Sequence, residues 1–125
     1  MPYRISRDRF ETLVERALQR VPRRFKKHFG NISVIVEDRP SDEDADAVEV
    51  PPDELLGLFR GIDYGSKGGL FDIPPPLPDT IVLYQKNLEE ICASEEELID
   101  EIRATVVHEV GHYFGLSEEE LEQYE

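Results

Sequence analysis

Apolar side chains recur at helical spacing near the start of the chain. The positions i, i+3, i+4, i+7, i+8 and i+11 are Phe10, Leu13, Val14, Ala17, Leu18 and Val21. This pattern predicts an amphipathic helix with one apolar stripe. Ser6 or Asp8 is suited to cap its start. Pro22 is expected to end it, because proline lacks the amide hydrogen that a helix interior needs.

Three later segments have the composition of β-strands. They are NISVIVED (31–38), ELLGLFRG (54–61) and TIVLYQKN (80–87). The first gives the strongest strand signal because its β-branched residues favour an extended backbone. The segment between the first two strands, residues 39–54, has no apolar periodicity and is predicted to be an exposed loop.

The segment before the third strand is rich in glycine and proline. Residues 62–70 contain three glycines and are predicted to form a mobile loop that overhangs a site. The run IPPPLPD (73–79) must be extended, because each proline fixes its own φ and disfavours a helical conformation of the residue before it. It is either a stiff lead-in to the strand, which needs no partner, or a PxxP ligand for an SH3-type domain.

The longest segment with apolar residues at helical spacing follows Ser94. A helix over about residues 95–114 is predicted, with Ser94 and Glu97 as its capping box. Gly115 fits the position after its end, where a left-handed backbone is common. Ser117 and Glu120 offer a second capping box for a short terminal helix. The apolar positions of the long helix are Leu98, Ile99, Ile102, Val106, Val110 and Phe114.

Length and composition limit the possible classes of protein. A chain of 125 residues is expected to form one domain, residues 1–125, with one core. Twenty-eight acids against 14 bases give a net charge of −14, which opposes binding to nucleic acid or to an anionic membrane. Cys92 is the only cysteine, and the first residues lack the apolar region of a signal peptide. A cytoplasmic location is therefore expected.

The charge is distributed unevenly. Residues 1–30 carry nine Arg and Lys against three acids, a net of +6, so the rest of the chain carries a net of −20. The basic segment either docks an acidic partner or neutralises the acidic surface of its own molecule. The second interpretation is preferred, because runs of charge usually form solvated faces of ordinary helices.

The predicted long helix contains the motif His108-Glu109-Val110-Gly111-His112. Residues four apart lie one turn apart on the same face, so two imidazole nitrogens can converge on one metal ion. Glu109 is offset around the helix and can take a proton from water instead of binding the metal. The two histidines face away from the apolar stripe, and the small residue Gly111 is expected to leave room for the metal. The alternative is a chance HExxH on an exposed helix face.

A catalytic zinc site needs a third protein ligand and an open fourth position. Thirteen residues follow His112, which opposes a glutamate from a separate downstream helix. Gly115 permits a turn that returns the chain towards the metal. Glu118 then occupies the place of the third histidine in the pattern HExxHxxGxxH. Glu118 is the preferred third ligand, and the alternatives are its neighbours Glu119, Glu120 and Glu122.

The closing segment HEVGHYFGLSEEELEQYE, preceded by LLGLFRG and LPDTIVLY, resembles the small bacterial mini-zincins, a family of zinc metallopeptidases. The resemblance implies an α+β fold in which a three- to four-stranded sheet packs on an N-terminal helix and on the long HExxH helix. It also implies a zinc ion held by His108, His112 and an acid aligned with Glu118, with Glu109 as the base. Members commonly carry aspartate at the third position, so Glu118 is one methylene longer.

The function expected from these residues is zinc-dependent hydrolysis of a peptide or protein substrate. Zinc would activate water, Glu109 would remove its proton and later return it to the leaving amine. The segment TIVLYQKN is expected to be an edge strand onto which an extended peptide adds. Tyr64, Tyr84 or Tyr113 is a candidate donor to the oxyanion. The alternative is a zinc-binding or protein-interaction module without catalytic activity.

Overall fold

The computed structural model describes residues 2–27, 32–60 and 79–123. The loop predicted at 62–70, the proline run up to residue 78 and Tyr64 lie outside these ranges. The described helices are α1 (Arg7–Gln19), α2 (Arg23–Lys26), α3 (Asp42–Ala47), α4 (Gln85–Glu90), α5 (Glu95–Tyr113) and α6 (Glu118–Glu122). The described strands are β1 (Ile32–Glu37), β2 (Gly57–Arg60) and β3 (Asp79–Tyr84).

The helices predicted from apolar periodicity and capping residues are present. The side chain of Ser6 accepts a hydrogen bond from the amide of Arg9 and caps α1. Ser94 caps α5 in the same way through the amide of Glu97. The Glu97 carboxylate accepts from the amide of Ala93 rather than from that of Ser94. Capping satisfies amide groups that have no partner inside the helix, which is why these local signals locate helix starts well.

The three strands form one sheet in the order β1-β3-β2. β1 pairs with β3 in parallel, and β2 pairs with β3 antiparallel. The prediction that TIVLYQKN supplies an edge strand is therefore wrong, because β3 is paired on both sides. Among the described strands, β1 and β2 form the edges. A strand propensity gives no information about which neighbours a strand acquires, so the sequence pattern did not reveal this order.

Three short helices, α2, α3 and α4, are missed by the sequence pattern. α3 lies in the segment predicted to be a loop, and only Ala45 of this helix is buried. Its stability comes from the Ser41 cap and from acids in its first turn, which the helix dipole favours. α4 ends the third strand at Tyr84. It places Asn87 in the interior, where its amide donates to the carbonyls of Pro52 and Leu55 at 2.7 Å each.

The fold is α+β, with α1 and α5 packed on one face of the small sheet. Ile81 and Leu83 of β3 face these helices, and the alternate residues Val82 and Tyr84 pack with Leu55 on the other face. This alternation follows from the period of two along a strand. The helix side of the main core contains Phe10, Leu13, Val14, Ala17, Leu98, Ile99, Ile102, Val106, Val107 and Val110.

The basic start of the chain pairs with acids of the same molecule. Ion pairs join Arg4 to Glu90, Arg7 to Asp38, Arg9 and Arg16 to Glu95, and Arg20 to Glu96 and Asp100. The pairs of Arg9, Arg16 and Arg20 join α1 and the residue that follows it to the start of α5. These contacts support internal neutralisation rather than an acidic partner. Each exposed pair contributes little stability by itself.

Cys92 belongs to the main core and is 2% exposed. Burial raises the pKa of its thiol to about 11. The protonated thiol therefore acts as a small apolar residue between α4 and α5. In the described ranges, every helix is too short or too polar to cross a lipid bilayer.

Candidate metal centre

The helix α5 carries His108 and His112 one turn apart on the side away from its buried stripe. Their ring centroids are 5.8 Å apart. The stripe itself, which includes Ile102, Val106 and Val110, is fully buried. The side chain of His108 is 34% exposed and that of His112 is 55% exposed. The core thus fixes the rotation of α5 and directs both imidazoles to the surface of the molecule.

The tautomer of His108 is set by its own helix. Its Nδ1 lies 3.0 Å from the carbonyl oxygen of Ala104. A carbonyl only accepts, so Nδ1 carries the hydrogen and donates it. In the neutral ring, Nε2 then keeps a lone pair, as a metal-ligating histidine requires.

A tight turn brings Glu118 back to both histidines. Gly115 has a φ of 75°, a left-handed conformation that glycine adopts without steric cost. The amide of Leu116 donates to the carbonyl of Gly111, and the amide of Gly115 donates to that of His112. These two bonds form the Schellman motif that ends many helices. The reversal starts α6 beside the last turn of α5, with Glu118 as its first residue.

The carboxylate of Glu118 contacts both imidazoles. Its Oε1 lies 3.0 Å from Nε2 of His112, and its Oε2 lies 3.4 Å from Nε2 of His108. The hydrogen bond with His112, and then the nearby His108, hold the pKa of Glu118 below its usual value. The carboxylate of Glu120 is engaged in the capping box, where it accepts from the amide of Ser117.

α6 is held against α5 by Leu121 and Gly111. Leu121 is fully buried, and a Cβ at position 111 would lie 2.1 Å from its Cδ2 atom. The space beside Gly111 is therefore filled by Leu121. This corrects the expectation that Gly111 leaves room for a metal ion. The missing side chain instead allows the close approach of the two helices that positions Glu118.

Glu109 projects from α5 towards the edge strand. The backbone amide of Phe59 is near enough to its carboxylate to favour the charged form. Burial raises the pKa of Glu109, and the smaller effects of Phe59, His112 and His108 oppose this change. Removal of water disfavours the charged form of a carboxyl group, which explains the direction.

The register of β2 explains why the amide of Phe59 is available to Glu109. The amide of Tyr84 donates to the carbonyl of Leu56, which makes that pair a hydrogen-bonded one. Hydrogen-bonded and non-hydrogen-bonded residue pairs alternate along two antiparallel strands. Gly57 and Phe59 are in non-hydrogen-bonded pairs, so their backbone groups point away from β3. The side-chain face of these two residues lies against α5, where Gly57 has no side chain to separate β2 from Thr105 and the ring of Phe59 stacks on Tyr113.

A cleft of about 410 Å³ lies between β2 and α5 next to His108. Its lining includes Glu101, which the motif-based prediction did not include. Glu101 precedes His108 by seven residues, so both lie on the same side of the helix. Helical spacing from the motif would have found it. The lining residues are Leu55, Leu56, Gly57, Glu101, Ala104, Thr105, His108 and Glu109.

The tyrosine candidates differ in position. Tyr84 is fully buried and has no access to a substrate, which contradicts its suggested role as an oxyanion donor. Tyr113 is 42% exposed, although helical spacing places it on the apolar stripe. Its ring stacks on that of Phe59 with centroids 4.2 Å apart. It therefore lies beside the residue whose amide favours the charged form of Glu109.

No group of three or more His, Cys, Asp or Glu side chains in the described part of the chain could hold a metal ion as it stands. At the candidate centre, the carboxylate of Glu118 instead contacts the imidazoles directly. His112 and Glu118 are 55% and 69% exposed, so both side chains have room to rotate.

The donor set nevertheless fits zinc. Bonds of about 2.0–2.2 Å in a tetrahedral site separate neighbouring ligand atoms by about 3.3 Å. The carboxylate oxygens of Glu118 lie 3.0 Å from Nε2 of His112 and 3.4 Å from Nε2 of His108. In the neutral tautomer, Nε2 of His108 and the oxygen facing it are both acceptors. A cation between them, either a metal ion or a proton on the ring, stabilises this arrangement.

Comparison with known proteins gives a family and a fold. The model of a family described as zincin-like metallopeptidase matches residues 29–125. A solved structure of a conserved hypothetical protein from Thermus thermophilus is similar, with 25% identity and a TM-score of 0.53. That match covers 87% of this chain and 94% of the other chain. No curated protein matches this chain.

Proposed function

The chain belongs to the zincin-like metallopeptidase family, and we propose that it hydrolyses peptide bonds with a zinc ion held by His108, His112 and Glu118. The observation that carries this proposal is the contact of one carboxylate with the Nε2 atoms of both histidines. Two imidazoles and a carboxylate are a common ligand set of catalytic zinc, which keeps a fourth position open.

Each residue has a distinct role in the proposed reaction. A bound zinc ion polarises the substrate carbonyl and lowers the pKa of water from about 15.7 towards about 7. Ala104 holds the ring of His108 through Nδ1, which orients Nε2 towards the metal position. Glu109 accepts the proton of the attacking water and then donates it to the leaving amine.

The substrate would bind along β2. Backbone groups of Gly57 and Phe59 point away from β3, so an extended peptide can pair with this edge of the sheet. The amide of Phe59 is near enough to the carboxylate of Glu109 to favour its charged form. A peptide bound along this edge would therefore lie close to the proposed base. This proposal replaces β3 by β2 as the strand that receives the substrate.

The test is hydrolysis of a random peptide library by zinc-loaded protein and by its Glu109→Gln variant. Wild-type protein should cleave, and the variant should lose at least about 100-fold in rate, the usual effect of removing a general base. Zinc content of both proteins is measured as the control, since Glu109 is not a proposed ligand. Equal cleavage by the two proteins at equal zinc content would refute the catalytic role. Absence of cleavage with full zinc content would favour a zinc-binding module without catalytic activity.

A further inference from the structure

The cleft between β2 and α5 extends beyond the proposed catalytic residues. From His108 it continues along α5 to Glu101, a distance of about 10 Å at 1.5 Å per residue. An extended peptide advances about 3.4 Å per residue. The far end of the cleft therefore lies about three residues from the bond that the proposed centre would cleave.

The walls of this part of the cleft are apolar. Leu55 and Leu56 line it from the β2 side, and Ala104 and Thr105 line it from α5. Thr105 is buried, at 9% exposure, and Leu56 is packed against the main core, so both form fixed walls. Such walls suit the aliphatic part of a long side chain rather than a short polar one.

The charges in the cleft have one sign. Glu101 and Glu109 are its acidic residues, and no Lys or Arg is among its lining residues in the described part of the chain. Glu101 is partly buried, and none of the described residues forms an ion pair or hydrogen bond with its carboxylate. An acid that is partly removed from water and lacks a cation attracts one from a ligand.

We propose that this cleft is a subsite for a lysine or arginine side chain of the substrate, with Glu101 as the residue that determines the specificity. The aliphatic stem lies between Leu56, Ala104 and Thr105, and the cationic end reaches Glu101. The preferred substrates are thus extended peptides with a basic residue within about three positions of the cleaved bond. This inference rests on the proposed peptidase function, and it specifies which substrates that function acts on.

The experiment compares pairs of peptides that differ only by Lys or Gln at one position. Affinity is measured by fluorescence anisotropy with zinc-loaded Glu109→Gln protein, so that the peptide remains intact. A second protein carries Glu101→Gln in addition, and a third carries Glu15→Gln instead. Glu15 is an exposed acid in a separate groove between α1 and β1, so its replacement changes the net charge equally. Glutamine matches glutamate in helix propensity, and thermal unfolding of all three proteins checks that they are folded.

The Lys peptide should bind about fivefold more tightly than the Gln peptide, as expected for a partly desolvated ion pair. The preference should disappear with Glu101→Gln, persist with Glu15→Gln and decrease with added salt. With Glu101→Lys, the preference should pass to a peptide that carries Glu at the same position.

The two proposals fail in different ways. Equal affinity for the Lys and Gln peptides, or a preference that persists in Glu101→Gln, overturns the subsite. If wild-type protein cleaves the library without a preference for basic residues, the subsite is also wrong, although the peptidase function stands. If the preference in binding is present but no cleavage depends on Glu109, the subsite stands and the peptidase function fails.

Discussion

Glu118 is the residue that completes the donor set of the candidate centre. The helix α5 alone presents two imidazoles, and the third group arrives only after the chain has reversed at Gly115. Glu118 and Glu119 both lie in the first turn of α6, where the helix dipole favours acids equally. Among the described acidic side chains of α6, Glu118 is the one that contacts the histidines. This difference is why we propose Glu118 rather than Glu119 as the ligand.

The Glu118→Ala variant should bind zinc at least about tenfold more weakly than wild-type protein, because it removes one of three ligands. Glu119→Ala should retain nearly the wild-type affinity. Competition with a chromophoric chelator measures both dissociation constants. Equal zinc affinity of the two variants would show that Glu118 is not a ligand.

At the scale of elements, the position of α6 depends on a small number of contacts. α6 has five residues, too few to be stable as an isolated helix. It is fixed by the Schellman turn, by the complete capping box of Ser117 and Glu120, and by Leu121 packed on Gly111. The contact of α5 with α6 therefore determines where the first residue of α6 lies.

Gly111→Ala should weaken zinc binding although alanine favours helices. The gain in helix propensity is about 1 kcal/mol. The new Cβ, however, would lie 2.1 Å from Leu121 Cδ2, with the Cγ and Cδ1 atoms of Leu121 also within 3.2 Å. The whole Leu121 side chain must move, and α6 with it.

A double-mutant cycle measures this coupling. Leu121→Ala alone should reduce the free energy of unfolding by about 2–5 kcal/mol, the cost of a cavity in a core. Adding Gly111→Ala to that variant should cost little more, because the methyl group then has space. Urea unfolding and zinc titration are measured for all four proteins. Additive effects of the two substitutions would contradict the proposed contact.

The edge strand β2 has a similar role on the other side of α5. Its alternating hydrogen bonds to β3 leave the backbone groups of Gly57 and Phe59 unused by that strand, and the amide of Phe59 lies near the carboxylate of Glu109. One strand thus lies beside the proposed base and presents the edge that we propose receives an extended substrate. Both properties follow from its place at the edge of the sheet.

At the scale of the whole molecule, ion pairs within the fold neutralise part of the uneven charge distribution. The pKa of Glu95 is lowered, first by its hydrogen bond with Arg9, and that of Glu96 is lowered by Arg20. A carboxylate with a lowered pKa stabilises the folded state above its unfolded pKa of about 4.3. This stabilisation is lost as the pH falls through that value and through the lower pKa of the folded state.

Replacing Arg9 and Arg20 together by Gln should therefore make stability less dependent on pH in the acid range. The free energy of unfolding of wild-type protein should exceed that of the variant at pH 6, and the difference should shrink by pH 3. Urea unfolding at several pH values measures it. Replacing Lys26 and Lys27 together by Gln is the matched control, since no ion pair joins either lysine to the described acids. A difference that stays constant with pH would show that these carboxylates are not responsible.

The sequence by itself determined the features that depend on a few neighbouring residues. Apolar periodicity and capping residues located α1, α5 and α6, the β-branched run located β1, and Gly115 marked the end of the long helix. The spacing of His108 and His112 placed two imidazoles on one helix face. These signals are reliable because helix geometry and capping are decided within one or two turns.

Only the tertiary structure decided which distant segments meet. It placed β3 in the centre of the sheet, buried Tyr84, filled the space beside Gly111 with Leu121, and opened a cleft lined by Glu101 next to the histidines. Each of these features is a contact between segments separated by many residues or by another element. Local propensity contains no information about such contacts, because the packing of the whole core selects them.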